Sequence, residues 1–212
     1  MNKYIIEFIG TFFLVTAIGL TGNPLAIGAM LMVMVYMGGS ISGAQYNPAV
    51  TLALWIRGKM TAAESMIYMV VQLLGALASA FFIYLLYHHT FTPLNGIDHQ
   101  INILKPLAIE MVFTFALAMV VLTVATSKKN AGNSYFGLAI GFTVCAAAFA
   151  GGPISGGAYN PAVGIGPSLI DMMFGHGKYM KDIWIYIVGP FAGAAVAAVV
   201  YKLTNPDEFP EG

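Results

Sequence analysis

Residues 41–50 read ISGAQYNPAV, and residues 154–163 read ISGGAYNPAV. Eight of the ten positions agree, so the chain carries an internal repeat. A weaker echo lies upstream of each copy: Glu7, Thr11, Phe12 and Leu14 match Glu110, Thr114, Phe115 and Leu117. The repeated stretch has a local logic. Its Ser-Gly-Ala or Ser-Gly-Gly start lets the backbone turn tightly. Asn47 and Asn160 suit helix N-cap positions, where a short side-chain oxygen accepts from orphan backbone N–H groups. Pro48 and Pro161 suit the first helical turn, where a missing N–H is no loss. The apolar stretches that follow, 48–56 and 161–174, are too short to cross a bilayer. At about 1.5 Å per residue, roughly ten residues rise about 15 Å, half of the hydrocarbon core. Two such half-helices entering from opposite sides would together make one span.

Six longer apolar runs surround these loops: 4–20, 25–37 (extendable into Gly39), 65–87, 106–125, 136–150 and 183–203. Glu7 inside the first run, with no small-residue cleavage site after it, argues for a span rather than a signal peptide. Each repeat then holds two spans, a loop with its half-helix, and a third span. Three is odd, so the second copy enters the membrane from the opposite side. Such inverted repeats place the working site near the midplane. The predicted fold class is all-α and membrane-embedded, with six transmembrane helices and two re-entrant half-helices. One channel-like domain covers 1–203, with repeat one at about 1–90 and repeat two at about 104–203. A polar tail, 204–212, is expected to be mobile.

Composition leads to the same place. Of 212 residues, 58% are hydrophobic and only 8% charged, and the mean hydropathy is +0.79. A soluble domain carries about 25% charge, so a soluble enzyme is excluded. Nine basic residues balance nine acidic ones, leaving no basic patch for nucleic acid. Cys145 is the single cysteine and supports neither a disulfide nor a cysteine metal site. His88, His89, His99 and His176 fall in loops and read as solvated side chains, so no metal or other cofactor is expected. No paired acids, nucleophile–base set or phosphate loop suggests an enzyme. Lys3, Arg57, Lys59, Lys128, Lys129 and Lys202 fall on one side of the six-span arrangement, and Lys105, Lys178 and Lys181 on the other. By the positive-inside rule both termini are then cytoplasmic, in a plasma or bacterial inner membrane.

The duplicated Asn-Pro-Ala boxes (Asn47, Pro48, Ala49 and Asn160, Pro161, Ala162) resemble those of the aquaporin, or major intrinsic protein, family. Glu7 with Gly10 and Thr11, Gln72, and the Gly189–Gly193 stretch GPFAG are similar to further family positions. The resemblance covers the whole chain apart from the tail. It implies a homotetramer with one pore per subunit, permeated by water and small neutral solutes. The amides of Asn47 and Asn160 would donate to the permeating oxygen, while the two positive helix ends repel cations and hydronium. Pore-lining carbonyls would come from 40–44 and 153–158. Glu7 and Glu110, buried acids that could otherwise carry ions, would brace the two loops.

The resemblance breaks at the pore's usual constriction. Counted in the family's spacing, its four members here are Ile27, Ala148, Gly157 and Val163. Val163 stands where relatives carry an arginine, and Gly164 where glycerol channels carry an acid. The expectation is a wide, apolar constriction that passes water and solutes of the glycerol, urea and ammonia class with weak discrimination. A narrow apolar ring would instead gate by dewetting. Two rivals stay open on sequence alone: an ion-coupled secondary transporter relying on Glu7 and Glu110, and a closed-pore structural member of the same superfamily.

Overall fold

A computed structural model describes residues 1–93, 103–177 and 180–209. Among these residues eight α-helices run in chain order: α1 Asn2–Thr21, α2 Pro24–Ser42, α3 Pro48–Ile56, α4 Ala62–Tyr87, α5 Leu104–Val121, α6 Phe136–Ser155, α7 Pro161–Phe174 and α8 Ile185–Thr204. Among the described residues six helices are long and apolar enough to cross a membrane, α5 continuing to Thr126 through a π-turn. α3 and α7 are the two short ones. Their limits coincide with the half-helices expected from the sequence. Large apolar side chains such as Leu74, Val112, Phe142 and Val199 lie exposed on the outside, as a lipid-facing surface requires.

Packing follows the repeat. α1 lies against α2 and α4, and α5 lies against α6 and α8. The half-helices cross over: α3 packs on α8 of the second repeat, and α7 on α4 of the first. Neither repeat is therefore complete without the other. The central seam is α2 against α6. A Cβ on Gly28 would stand 2.6 Å from the carbonyl oxygen of Gly141, and one on Gly141 would stand 2.4 Å from that of Gly28. Only glycine at both places lets the two backbones come this close.

Several boundaries differ from the expectation. α2 continues past Gly39 to Ser42, and α6 runs through Pro153 to Ser155 rather than ending at 150. Each ends on a left-handed glycine, Gly43 at φ 84° and Gly156 at φ 83°. The last helix begins at Ile185, after a 3₁₀ turn over Met180–Asp182.

The tail is a correction. Residues 205–209 are docked, not mobile. Arg57, buried at the end of α3, places Nη2 2.8 Å from Glu208 Oε2, and its guanidinium lies 4.2 Å from the centre of the Phe209 ring. Glu208 also accepts from Tyr201 Oη at 3.0 Å, from Lys128 N at 3.2 Å and from Ser127 Oγ. Burial raises the Glu208 carboxyl, but these hydrogen bonds and the Arg57 charge outweigh it and hold the group below the usual carboxylate range. Of the residues weighed above, His99, Lys178 and the last three of the tail, 210–212, lie outside the described residues.

Candidate functional site

The two boxes meet at the centre of the bundle. Asn47 and Asn160 have extended backbones and cap α3 and α7, each Oδ1 accepting from the N–H two residues on (Ala49 and Ala162) at 2.9 Å. Their Nδ2 atoms reach across the two-fold. Asn47 donates to the carbonyl of Tyr159, and Asn160 donates to the carbonyl of Tyr46, each at 2.9 Å. An amide nitrogen carries two hydrogens, and the crosswise bond takes one. The other is available to a molecule between the loops. Both helix N-termini, each worth roughly half a positive charge, converge on this point.

Strained loops hold the caps in place. Tyr46 and Tyr159 have φ values of 51° and 48°, a left-handed conformation that a bulky residue adopts only when its surroundings impose it. Glu7 and Glu110 are both fully buried beneath these turns. Glu7 accepts from Tyr46 N at 2.7 Å, Gln45 N at 3.0 Å and Ser42 Oγ at 2.6 Å. Glu110 accepts from Tyr159 N at 2.6 Å, Ala158 N at 3.0 Å and Ser155 Oγ at 2.7 Å. The tyrosine hydroxyls close the arrangement on Met34 O and Ala147 O, both at 2.8 Å.

Some partners escaped the sequence reading. Ser42 and Ser155 are identical in the repeat, which was the available signal. Tyr68 and Tyr186, whose hydroxyls bond the carbonyls of Ser42 and Ser155, lie outside the matched stretches. The first repeat also holds a polar relay that the second lacks. Gln72 Nε2 donates to Glu7 Oε2 at 2.8 Å, and Thr51 Oγ1 donates to Gln45 Oε1 at 2.6 Å, with Gln72 and Thr51 in contact. Ala158 and Gly164 stand at the places of Gln45 and Thr51 in the second copy. A Cβ on Gly164 would meet Tyr186 at 2.3 Å.

Three cavities adjoin through shared wall residues. A middle one of ≈ 30 Å³ contains both asparagines. A distal vestibule of ≈ 490 Å³ opens on the face away from the termini, and a proximal one of ≈ 630 Å³ on the face that carries them. Ile27, Gly157 and Val163 line both the middle cavity and the distal vestibule, and Ala148 lines the vestibule alone. None of these four residues carries a polar side chain, and isoleucine, leucine and valine side chains from both repeats line the small middle cavity beside them. Ser40 and Pro153, expected among the pore-lining carbonyl residues, are helical and face the two vestibules. Residues 44–47 and 157–160 line the middle.

A bundle of six spanning helices with two opposed re-entrant helices, and a row of cavities through their meeting point, defines a membrane protein of the channel type. Residues 1–201 match the Major intrinsic protein family, MIP. The chain is 33% identical to a probable aquaporin NIP-type of Nicotiana alata, the match covering 99% of this chain and 80% of that protein. It is 32% identical to nodulin-26 of Glycine max over the same shares. Among solved structures, the aquaglyceroporin of Plasmodium falciparum superposes with a TM-score of 0.83 at 24% identity, covering 98% of both chains, a likeness of fold. The chain belongs to the major intrinsic protein family.

Proposed function

We propose that the protein is a passive channel for water and small uncharged solutes, with Asn47 and Asn160 as the central hydrogen-bond donors. The observation that carries this reading is the pair of cross-tied amides inside a cavity between two open vestibules. The names of the relatives, aquaporins among them, favour the same activity. A molecule entering the middle cavity leaves bulk water and finds two N–H donors and the carbonyls of the two loops. A cation meets the partial positive charge of two helix N-termini at the same place, which opposes its entry. Space of about 10–15 Å³ holds one water, so the middle cavity takes about two.

Pro48, Ala49, Pro161 and Ala162 start the half-helices. Glu7 and Glu110 serve as braces: each carboxylate is committed to loop donors, which argues against the shuttling that a coupled transporter needs. Ile27, Ala148, Gly157 and Val163 form the distal constriction. The charge count favours a cytoplasmic location for the face bearing the termini, in a plasma or bacterial inner membrane, and the family favours a homotetramer.

The test is stopped-flow swelling of proteoliposomes in gradients of water, ammonia, urea and glycerol. Water permeation above that of empty vesicles, with a proton leak no greater than theirs, is the expected result. Failure to pass any of the four refutes the reading.

A further inference from the structure

The middle cavity is lined by residues from both repeats in equal number, and every one has its counterpart. The eighteen lining residues form nine pairs. In the first spans the shift is 103 residues, as in Leu14 with Leu117, and elsewhere it is 113, as in Asn47 with Asn160. Ile27 pairs with Ile140, and Val50 with Val163. Ile27 and Val163 stand where the middle cavity meets the distal vestibule, and Ile140 stands where it meets the proximal one. Among these pairs, one sets a polar side chain against an apolar one: Gln45 with Ala158. With valine at both 50 and 163, the wall of the middle cavity carries no fixed charge; Lys128 lies farther out, in the wall of the proximal vestibule.

We propose that this channel has two matched apolar constrictions, one on each side of the amide pair, and that Val50 and Ile140 determine its permeability to the same degree as Val163 and Ile27. The proposal rests on the channel reading above and extends it. A permeating molecule sheds its water twice, once at each ring, and between the rings it has as partners the two asparagine amides, the loop carbonyls and, on one side, Gln45. Compact molecules that one or two hydrogen bonds satisfy fit that interval. A triol such as glycerol reaches it with hydroxyls unpaired.

Two barriers in series give an unusual signature. Lowering one of two equal barriers can at most double the flux, because the other then limits it. The test compares water permeability per reconstituted channel for Val50→Ala, Val163→Ala and the double variant, all full-length and in proteoliposomes. Each single variant should gain no more than about twofold, by similar amounts, and the double about tenfold, the change expected for about 1.4 kcal/mol off each barrier. The milder set Ile27→Val, Ile140→Val and their double repeats the comparison where alanine harms folding. A single dominant ring would show Val163→Ala alone giving the double variant's gain while Val50→Ala changes nothing, and that outcome overturns the proposal while leaving the channel intact. A wild-type protein that conducts no better than empty vesicles removes the channel reading itself.

Discussion

Asn47 Nδ2 lies 2.9 Å from the carbonyl oxygen of Tyr159, so the donor of one repeat is aimed by the loop of the other. The reverse bond, Asn160 to Tyr46, has the same length. Asn47→Asp separates the roles of this side chain. The carboxylate still caps Ala49, but it brings an oxygen against the Tyr159 carbonyl and places a negative charge between two helix N-termini. The expected outcome is a folded protein that has lost about 1 kcal/mol or more with the hydrogen bond and leaks protons or cations. Dye-loaded vesicles given a pH step measure the leak; one unchanged from wild type shows that the amide does not guard the pathway.

The braces beneath the loops predict a stability effect. Glu7 and Glu110 each accept backbone N–H bonds from two successive residues in strained turns. Glu110→Gln turns an acceptor into an NH₂ group facing one of those donors. Each buried donor so orphaned costs about 1–3 kcal/mol. Thermal unfolding in detergent should shift down accordingly, and Glu7→Gln should behave in the same direction. A transporter's coupling site would instead keep its stability and lose only turnover.

The tail gives a pH-dependent prediction. Glu208 is held below its ordinary range by Ser127, Tyr201 and Arg57 despite its burial. A carboxylate depressed in the folded state contributes stability above its unfolded pKa, and that contribution fades as pH falls through the folded value. The contribution is therefore present at neutral pH and lost only in acid, below pH 4.5. Removing one partner of a buried pair typically costs about 3–5 kcal/mol, so Glu208→Ala should lower the melting temperature at pH 7. The difference from wild type should narrow on acidification. A gap that widens in acid would contradict the assignment.

A buried hydroxyl tests where the two-fold fails. Thr11 Oγ1 donates to the carbonyl of Glu7 at 2.8 Å, while its buried counterpart Thr114 Oγ1 has no partner among the described residues. Thr114→Val should be neutral or slightly stabilising, whereas Thr11→Val gives up a bond worth about 1 kcal/mol. Chemical unfolding of the two variants, read by tryptophan fluorescence, distinguishes them; equal losses would mean that Thr114 is bonded in the membrane.

Much of this was legible in the sequence because the repeat is nearly exact where the chemistry is. The boxes at Asn47 and Asn160 fixed the half-helix limits, and the odd span count fixed the inversion. The end of α2 was misread for a physical reason: Gly38, Gly39 and Gly43 look like a loop. Gly38 is instead a packing residue within a helix, where a Cβ would collide with the Tyr46 hydroxyl at 1.9 Å. The docked tail was illegible because its meaning depends on Arg57, 151 residues from Glu208 in sequence. The lining of the middle was only partly legible because the four constriction positions lie toward one vestibule and omit Ile18, Leu31 and their partners, which line the middle cavity from both repeats.

Placing a fixed charge at one ring shows what its absence permits. Val163 is buried, and it borders a distal vestibule of ≈ 490 Å³ large enough to receive a longer side chain. In Val163→Arg the guanidinium can keep its charge in that vestibule while its stem lies along the apolar wall. The variant should pass less of any cation and of larger neutral solutes, and its water permeability should fall less than its urea permeability. Val50 is the counterpart of Val163 in the wall of the middle cavity, and under the two-ring proposal Val50→Arg should have the same kind of effect. Flux ratios of urea to water in matched proteoliposomes decide the matter. If both variants keep the wild-type ratio and the wild-type proton leak, residues 50 and 163 do not stand at the narrow parts of the path.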